Sequence, residues 1–205
     1  ILTYDLELLG IVKAGTMQLS VERPMSGGRI VPLRARAKTT QTVASLKPVA
    51  GVALSWIDAV TLLPERYRDE ADEGGVHKVS DARIAPAGPE LVIEHRFGDS
   101  AGKTAYRREQ DVLDALSTLY YLRAAWLAPG ERFCFDLVAN RRFWRLEGTV
   151  ASKRGKGDTP AGRVETLRGD ATTRRADRPE GKPRPVPLWY STDPRRRPGG
   201  GVSEA

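Results

Sequence analysis

Strict period-two alternation at the head of the chain is the strongest constraint on what it can fold into. Leu2, Tyr4, Leu6 and Leu8 alternate with Thr3, Asp5 and Glu7, and beyond Gly10 and Gly15 Met17, Leu19 and Val21 alternate with Gln18, Ser20 and Glu22. Successive side chains of a strand point to opposite faces, so each segment can bury one face and must pair through its backbone. Val31, Leu33, Ala35 and Ala37 then alternate with Arg34, Arg36 and Lys38, which predicts a third strand with one basic face. Ser26-Gly27-Gly28 is turn material, and the short connections make a meander the simplest topology.

Further strands are predicted over 53–60, 64–71, 76–84 and 91–97, with Leu91, Ile93 and His95 sharing one face. Others follow over 133–137, 143–150, 163–169 and 186–191. Residues 42–47 read as a short helix stopped by Pro48. One principal helix is expected over 112–127, capped by Asp111 and terminated by Pro129-Gly130, because Leu113, Leu116 and Tyr120 follow a helical spacing. The fold class is therefore mostly β: a curved antiparallel sheet or half-open β-barrel with one principal α-helix packed against it. At 205 residues and 40% apolar content the chain suits a single β-rich domain, residues 1–205. The most apolar stretch, 43–63, is interrupted by Lys47, Pro48 and Asp58, so no apolar run reaches the about 18 residues of a spanning helix.

A formal net charge of +7 invites an anionic partner until its location is considered. Residues 150–205 hold 13 Lys/Arg against 7 Asp/Glu, whereas the first 149 hold 20 against 19. The same final quarter contains seven of the fourteen prolines, so a basic Pro/Gly-rich loop is expected at about 170–187, with a loose C-terminus from about 195. The basic runs there, Lys153-Arg154-Gly155-Lys156, Arg174-Arg175 and Arg195-Arg196-Arg197, lack interleaved aromatics and offer no base-stacking platform. No nucleic-acid partner is expected. Anionic headgroups, an acidic partner or water alone are the open readings.

Catalytic signals are sparse. His77 and His95 are the only histidines and form no HxH or HExxH pair, so no metal site is expected. Cys134, between Phe133 and Phe135, reads as a buried or half-buried thiol. Asp69-Glu70 and Asp72-Glu73 precede Gly74-Gly75 and read as a solvated turn with no desolvated carboxylate. No nucleophile elbow is present, and no catalytic residue or cofactor is expected. The principal helix carries the most distinctive surface: Tyr120, Tyr121, Trp126 and Leu127 form an apolar-aromatic arc beside Arg123. Such an arc can fill a concave sheet as core, or it can wall an apolar cleft.

Three blocks resemble a known family. Leu2-Thr3-Tyr4-Asp5 with Gly10 and Ala14-Gly15 looks like the opening strand pair of the domain-of-unknown-function 3108 family. Gln110-Asp111, Leu113, Leu116-Ser117, Leu119 to Arg123 and Gly130 resemble its central helix signature. Asp158 to Val164 and Leu188 to Pro198 resemble its closing hairpin and penultimate strand. The resemblance implies an exported bacterial envelope protein, usually made with a signal peptide, with no known enzymatic activity and no established cofactor. Against that pattern both ends look trimmed, Ile1 opens within a strand, and a final strand is expected beyond Ala205. The functional expectation is a non-catalytic periplasmic or outer-membrane-associated binding module, with an apolar cleft for a lipid, acyl chain or lipoprotein, and Tyr120, Tyr121, Arg123 and Trp126 at the ligand. The alternative is a structural or scaffold component docking to an envelope protein through sheet edges and basic loops. Peripheral membrane association fits either reading, and oligomeric state is left open.

Overall fold

The computed structural model describes residues 1–8, 12–45, 48–84, 88–125, 128–159, 162–193 and 198–201. The chain divides into two compact units, Ile1–Ser117 with Val138–Arg142, and Thr118–Leu137 with Phe143–Ala205.

The first unit is built on the predicted meander, which continues for eight antiparallel strands. They are β1 (Leu2–Leu8), β2 (Val12–Val21), β3 (Ile30–Thr39), β4 (Val49–Asp58), β5 (Pro64–Glu73), β6 (Val76–Ile84), β7 (Glu90–Phe97) and β8 (Ser100–Arg107). Each strand pairs with the next, and the sheet does not close into a barrel. The β5–β6 connection is Gly74-Gly75, with φ of 58° and 81° at its two central residues. That mirror-image turn matches strand twist and favours glycine at both positions. A short helix, α1 (Gln41–Ala44), lies between β3 and β4.

Register sorts the side chains into transverse rows, because residues directly opposite in an antiparallel ladder share a face. Leu33, Ser55, Tyr67, Ala82 and Ile93 form one such row across β3 to β7, all buried. Ile84 and Leu91 extend the core in a neighbouring row. Arg34, Arg36 and Lys38 take the other face of β3, as alternation requires.

The segment expected to open the principal helix is instead a three-residue strand, β9 (Val112–Asp114), buried throughout and packed on β5. Helix α2 runs over Ala115–Ala124. Its cap is Asp114 rather than the expected Asp111. Asp114 Oδ1 accepts the amides of Leu116 at 2.8 Å and Ser117 at 2.9 Å, while Ser117 Oγ accepts the Asp114 amide at 2.7 Å. This reciprocal arrangement satisfies first-turn donors that have no helical partner. Asp111 is exposed, 3.9 Å from Arg108. Val112 and Leu113 are buried together in extended backbone, and the helix begins only once the core has taken both.

The second unit carries an antiparallel sheet in the order β16–β15–β13–β11–β10. Its strands are β10 (Arg132–Ala139), β11 (Arg142–Val150), β12 (Gly155–Thr159), β13 (Gly162–Arg175), β14 (Arg184–Pro185), β15 (Leu188–Ser191) and β16 (Pro198–Gly201). The hairpin tip Val138–Arg142 is counted with the first unit. β13 is long because its two halves serve different neighbours. Residues 162–166 pair with β12 and 166–169 with β15, while 169–175 pair with β11 and 172–173 with β14. The expected loop at 170–187 is corrected accordingly. Asp170–Arg175 is strand, since β11 satisfies its backbone, and turns and irregular chain occupy 176–183 before β14. Pro198–Gly201, expected to be loose, pairs with β15.

Gly148 lets the second unit's core close. A Cβ there would lie 2.6 Å from the carbonyl oxygen of Asp170, 2.7 Å from Phe133 Cζ and 2.8 Å from Ala171 Cα. Two of those neighbours are backbone and cannot swing aside. Gly148→Ala is expected to destabilise the protein by about 1–3 kcal/mol, as overpacking does. A urea melt checks this, and an unchanged midpoint contradicts it.

Candidate apolar cleft of the second unit

Phe133 and Phe135 project from the same face of β10 and stack with centroids 5.9 Å apart, while Tyr121 of α2 meets Phe135 edge-on at 5.3 Å. The Phe133 ring lies within 3.6 Å of the Cβ position of Gly169, so two glycines, Gly148 and Gly169, give it a flat floor. Beside this aromatic layer lies a cavity of about 350 Å³. Leu122 of α2, Phe133, Val150, Leu167, Leu188 and Tyr190 supply its apolar wall. Register explains the convergence: Leu167 is opposite Tyr190, and Gly169 is opposite both Leu188 and Val150. Tyr190 is further held by its hydroxyl, which donates to the Leu119 carbonyl at 3.4 Å.

Two arginines also line the cavity. Arg154 pairs with Glu165 at 2.9 Å, and Arg168 pairs with Asp170 at 2.6 Å while stacking on Trp189 at 5.6 Å. Their side chains are 61% and 51% exposed, so they form the wet side of an otherwise apolar site. Exposed pairs of this kind are worth only about 0–1 kcal/mol, so an incoming anion can displace the carboxylates at little cost.

The residues singled out on the helix are distributed differently. Tyr120, Tyr121 and Arg123 are half-buried on α2 and are not among the cavity-lining residues; Leu122 and Ala125, three apart, present the face that is. Tyr121 packs on Phe135, and burial pushes the Tyr120 phenol upward while the charge of Arg123 draws it down. Trp126 and Leu127 lie outside the described residues. The lining positions Leu167 of β13 and Leu188 of β15 meet through strand register, which local alternation does not reveal.

Other expectations are corrected. Cys134 is exposed rather than buried or half-buried, because Phe133 and Phe135 take the inner face of β10. The acidic run 69–73 belongs to β5 rather than to a turn, and its alternation sends Asp69 inward. A desolvated carboxylate therefore exists in a run where none was expected, and Asp114 and Asp136 are buried outside it. Burial pushes Asp69 up to about 6, against the charges of Arg141 and Arg68, and burial pushes Asp114 up to about 6 despite hydrogen bonds from Ser55, Ser117 and Leu116. His77 is exposed, with Nδ1 2.8 Å from Asp72 and Nε2 3.6 Å from Glu70. Among the described residues no group of three or more His, Cys, Asp or Glu is arranged to hold a metal ion, and no helix is long and apolar enough to cross a membrane.

A family model described as a protein of unknown function, DUF3108, matches residues 3–198. No curated protein and no solved structure gives a match.

Proposed function

We propose that this chain, which belongs to the DUF3108 family of unknown function across nearly its whole length, is a non-catalytic binding module for an acyl chain carrying an acidic headgroup. The observation that carries the reading is the cavity of the second unit. Its volume falls in the range of ligand sites, about 300–1,000 Å³, and its apolar wall ends at two cations. The wall takes hydrocarbon by burying apolar surface, and Arg154 and Arg168 meet the charge that such a chain carries at one end. An exported envelope setting, which the family resemblance implies, provides ligands of that chemistry.

Native mass spectrometry of protein purified from its own cell envelope is expected to show an adduct of lipid mass. Leu167→Trp, which fills the cavity from β13, is expected to abolish that adduct while leaving the melting temperature nearly unchanged. A clean unliganded mass for the wild type, or an adduct that survives the filled cavity, overturns the reading.

A further inference from the structure

The first unit contains a polar row that its fold does not need. Asp69 of β5 lies directly opposite Ser80 of β6, and Ser80 directly opposite His95 of β7. Opposed residues share a face with Cβ atoms about 4.5–5.5 Å apart. On β2 to β4 the same row is apolar: Leu19, Ala35 and Ala53. Among the described residues four buried side-chain polar atoms lack a hydrogen-bond partner, and three are Asp69 Oδ2, Ser80 Oγ and His95 Nδ1. Ser80 is fully buried. Leaving a buried polar group unsatisfied forfeits its hydration without a replacement bond, and a strand needs only small apolar residues here. Three such atoms side by side describe a place for something polar.

A cation has been brought to the same place. Asn140 and Arg141 occupy the tip of the β10–β11 hairpin with φ of 48° and 63°, left-handed values uncommon for residues other than glycine. From this turn the Arg141 guanidinium stacks 3.4 Å over the ring of Phe97, two residues beyond His95 on β7, and its charge acts on Asp69. Gly102 completes the arrangement from β8. A Cβ there would lie 2.8 Å from His95 Nε2 and 2.9 Å from Cε1, so the imidazole rests where any larger residue would sit. The serine stands between acid and imidazole across the sheet, so it cannot pass a proton through His95 to Asp69, and the row is not the relay of a hydrolase triad.

We propose that Asp69, Ser80, His95 and Arg141 form a binding site for a small monocarboxylate, separate from the apolar cleft. One guanidinium matches one negative charge, the serine hydroxyl donates a second bond, and the imidazole a third. A second carboxylate beside Asp69 is tolerated when the pair shares one proton, as closely spaced carboxylates do. A dianionic phosphate lacks a matching second cation, because Lys78, the other cation on this face, is engaged by Glu73. The charges of Arg141, at the hairpin tip, and Arg68, on its own strand, act on Asp69, while Asp69 and Asp114 of β9 both act on Tyr67, and Lys78 of β6 and His95 of β7 share its face.

The chain has two histidines, so the imidazole ¹⁵N resonances report on His95 once His77→Gln identifies the other. Titration with sodium acetate is expected to shift the His95 signals saturably. Because the site takes up one proton with the ligand, affinity is expected to fall by about tenfold per pH unit above the Asp69 midpoint near 6. Arg141→Gln is expected to weaken acetate binding by about tenfold or more. Ser80→Ala is expected to weaken it several-fold while leaving the protein folded, since the lost hydroxyl has no partner in the fold. No saturable His95 shift with acetate overturns the proposal, as does equal binding of inorganic phosphate. So does unchanged acetate affinity in a folded Ser80→Ala protein.

Discussion

Asp114→Ala is expected to lower stability by about 3–5 kcal/mol, because it strands several buried donors at once. The carboxylate is fully buried and accepts three bonds, from the Leu116 and Ser117 amides and from Ser55 Oγ at 2.5 Å. No solvent reaches Ser55 to replace the lost acceptor, since it too is fully buried. Asp114→Asn is expected to cost far less. The amide oxygen still caps α2, and its NH₂ donates to Ser55 Oγ. The pair of variants also exposes a pH dependence. The folded-state value near 6 lies above the ordinary 3.8, so the stabilisation belongs to the protonated form. It is complete below about pH 4 and is lost as pH rises through about 6, a swing on the order of 3 kcal/mol. Urea melts across that window are expected to show a falling component in the wild type that Asp114→Asn lacks. Identical slopes for the two proteins contradict this account of the buried carboxyl.

Arg145→Met is expected to cost about 3 kcal/mol, at the low end of the range for breaking a buried ion pair. Arg145 donates to Asp136 through Nε at 2.7 Å and Nη2 at 3.0 Å, a bidentate match. Asp136 is 2% exposed whereas Arg145 is 34% exposed, so the asymmetry falls on the acid. Methionine keeps much of the aliphatic packing and removes the guanidinium with both of its hydrogen bonds, leaving a carboxylate in the core without its bidentate partner. The double variant Arg145→Met with Asp136→Leu is expected to recover most of the loss. A chemical denaturation series on the three proteins decides this, and a single variant as stable as the wild type contradicts it.

Both sites show where sequence reading ends. Alternation located β1 to β7 but not β8: Leu91, Ile93 and His95 share the inner face of β7 as their spacing requires, and the first three strands form the expected meander. These features depend only on neighbours within one segment. Asp111 and Asp114 are equally good capping residues by local chemistry, and the choice between them rests on Ser55, 59 residues away. Likewise Asp69, Ser80 and His95 are unremarkable singly. They become one row only through the register of three strands, and a slip of one residue would send each to the opposite face. The cleft follows the same logic, since Leu167 and Leu188 meet only after β13 and β15 are aligned. The helix showed its aromatic arc in sequence, but the residue it contributes to the cavity wall, Leu122, sits between two of the residues that drew attention.

The five residues Val138–Arg142 also bear on the order in which this protein can be made. They belong with the first unit, although residues 118–137 of the other unit precede them in the chain. During synthesis, when domains generally form from the N-terminus onward, Phe97 and Asp69 emerge well before the arginine that later stacks on one and balances the other. The opening meander must therefore wait, with its buried acid offset by Arg68 alone, for a hairpin tip threaded from further along. No single cut in the chain yields either half intact, and any attempt to express the first half alone should carry Val138–Arg142 back to it through a designed linker.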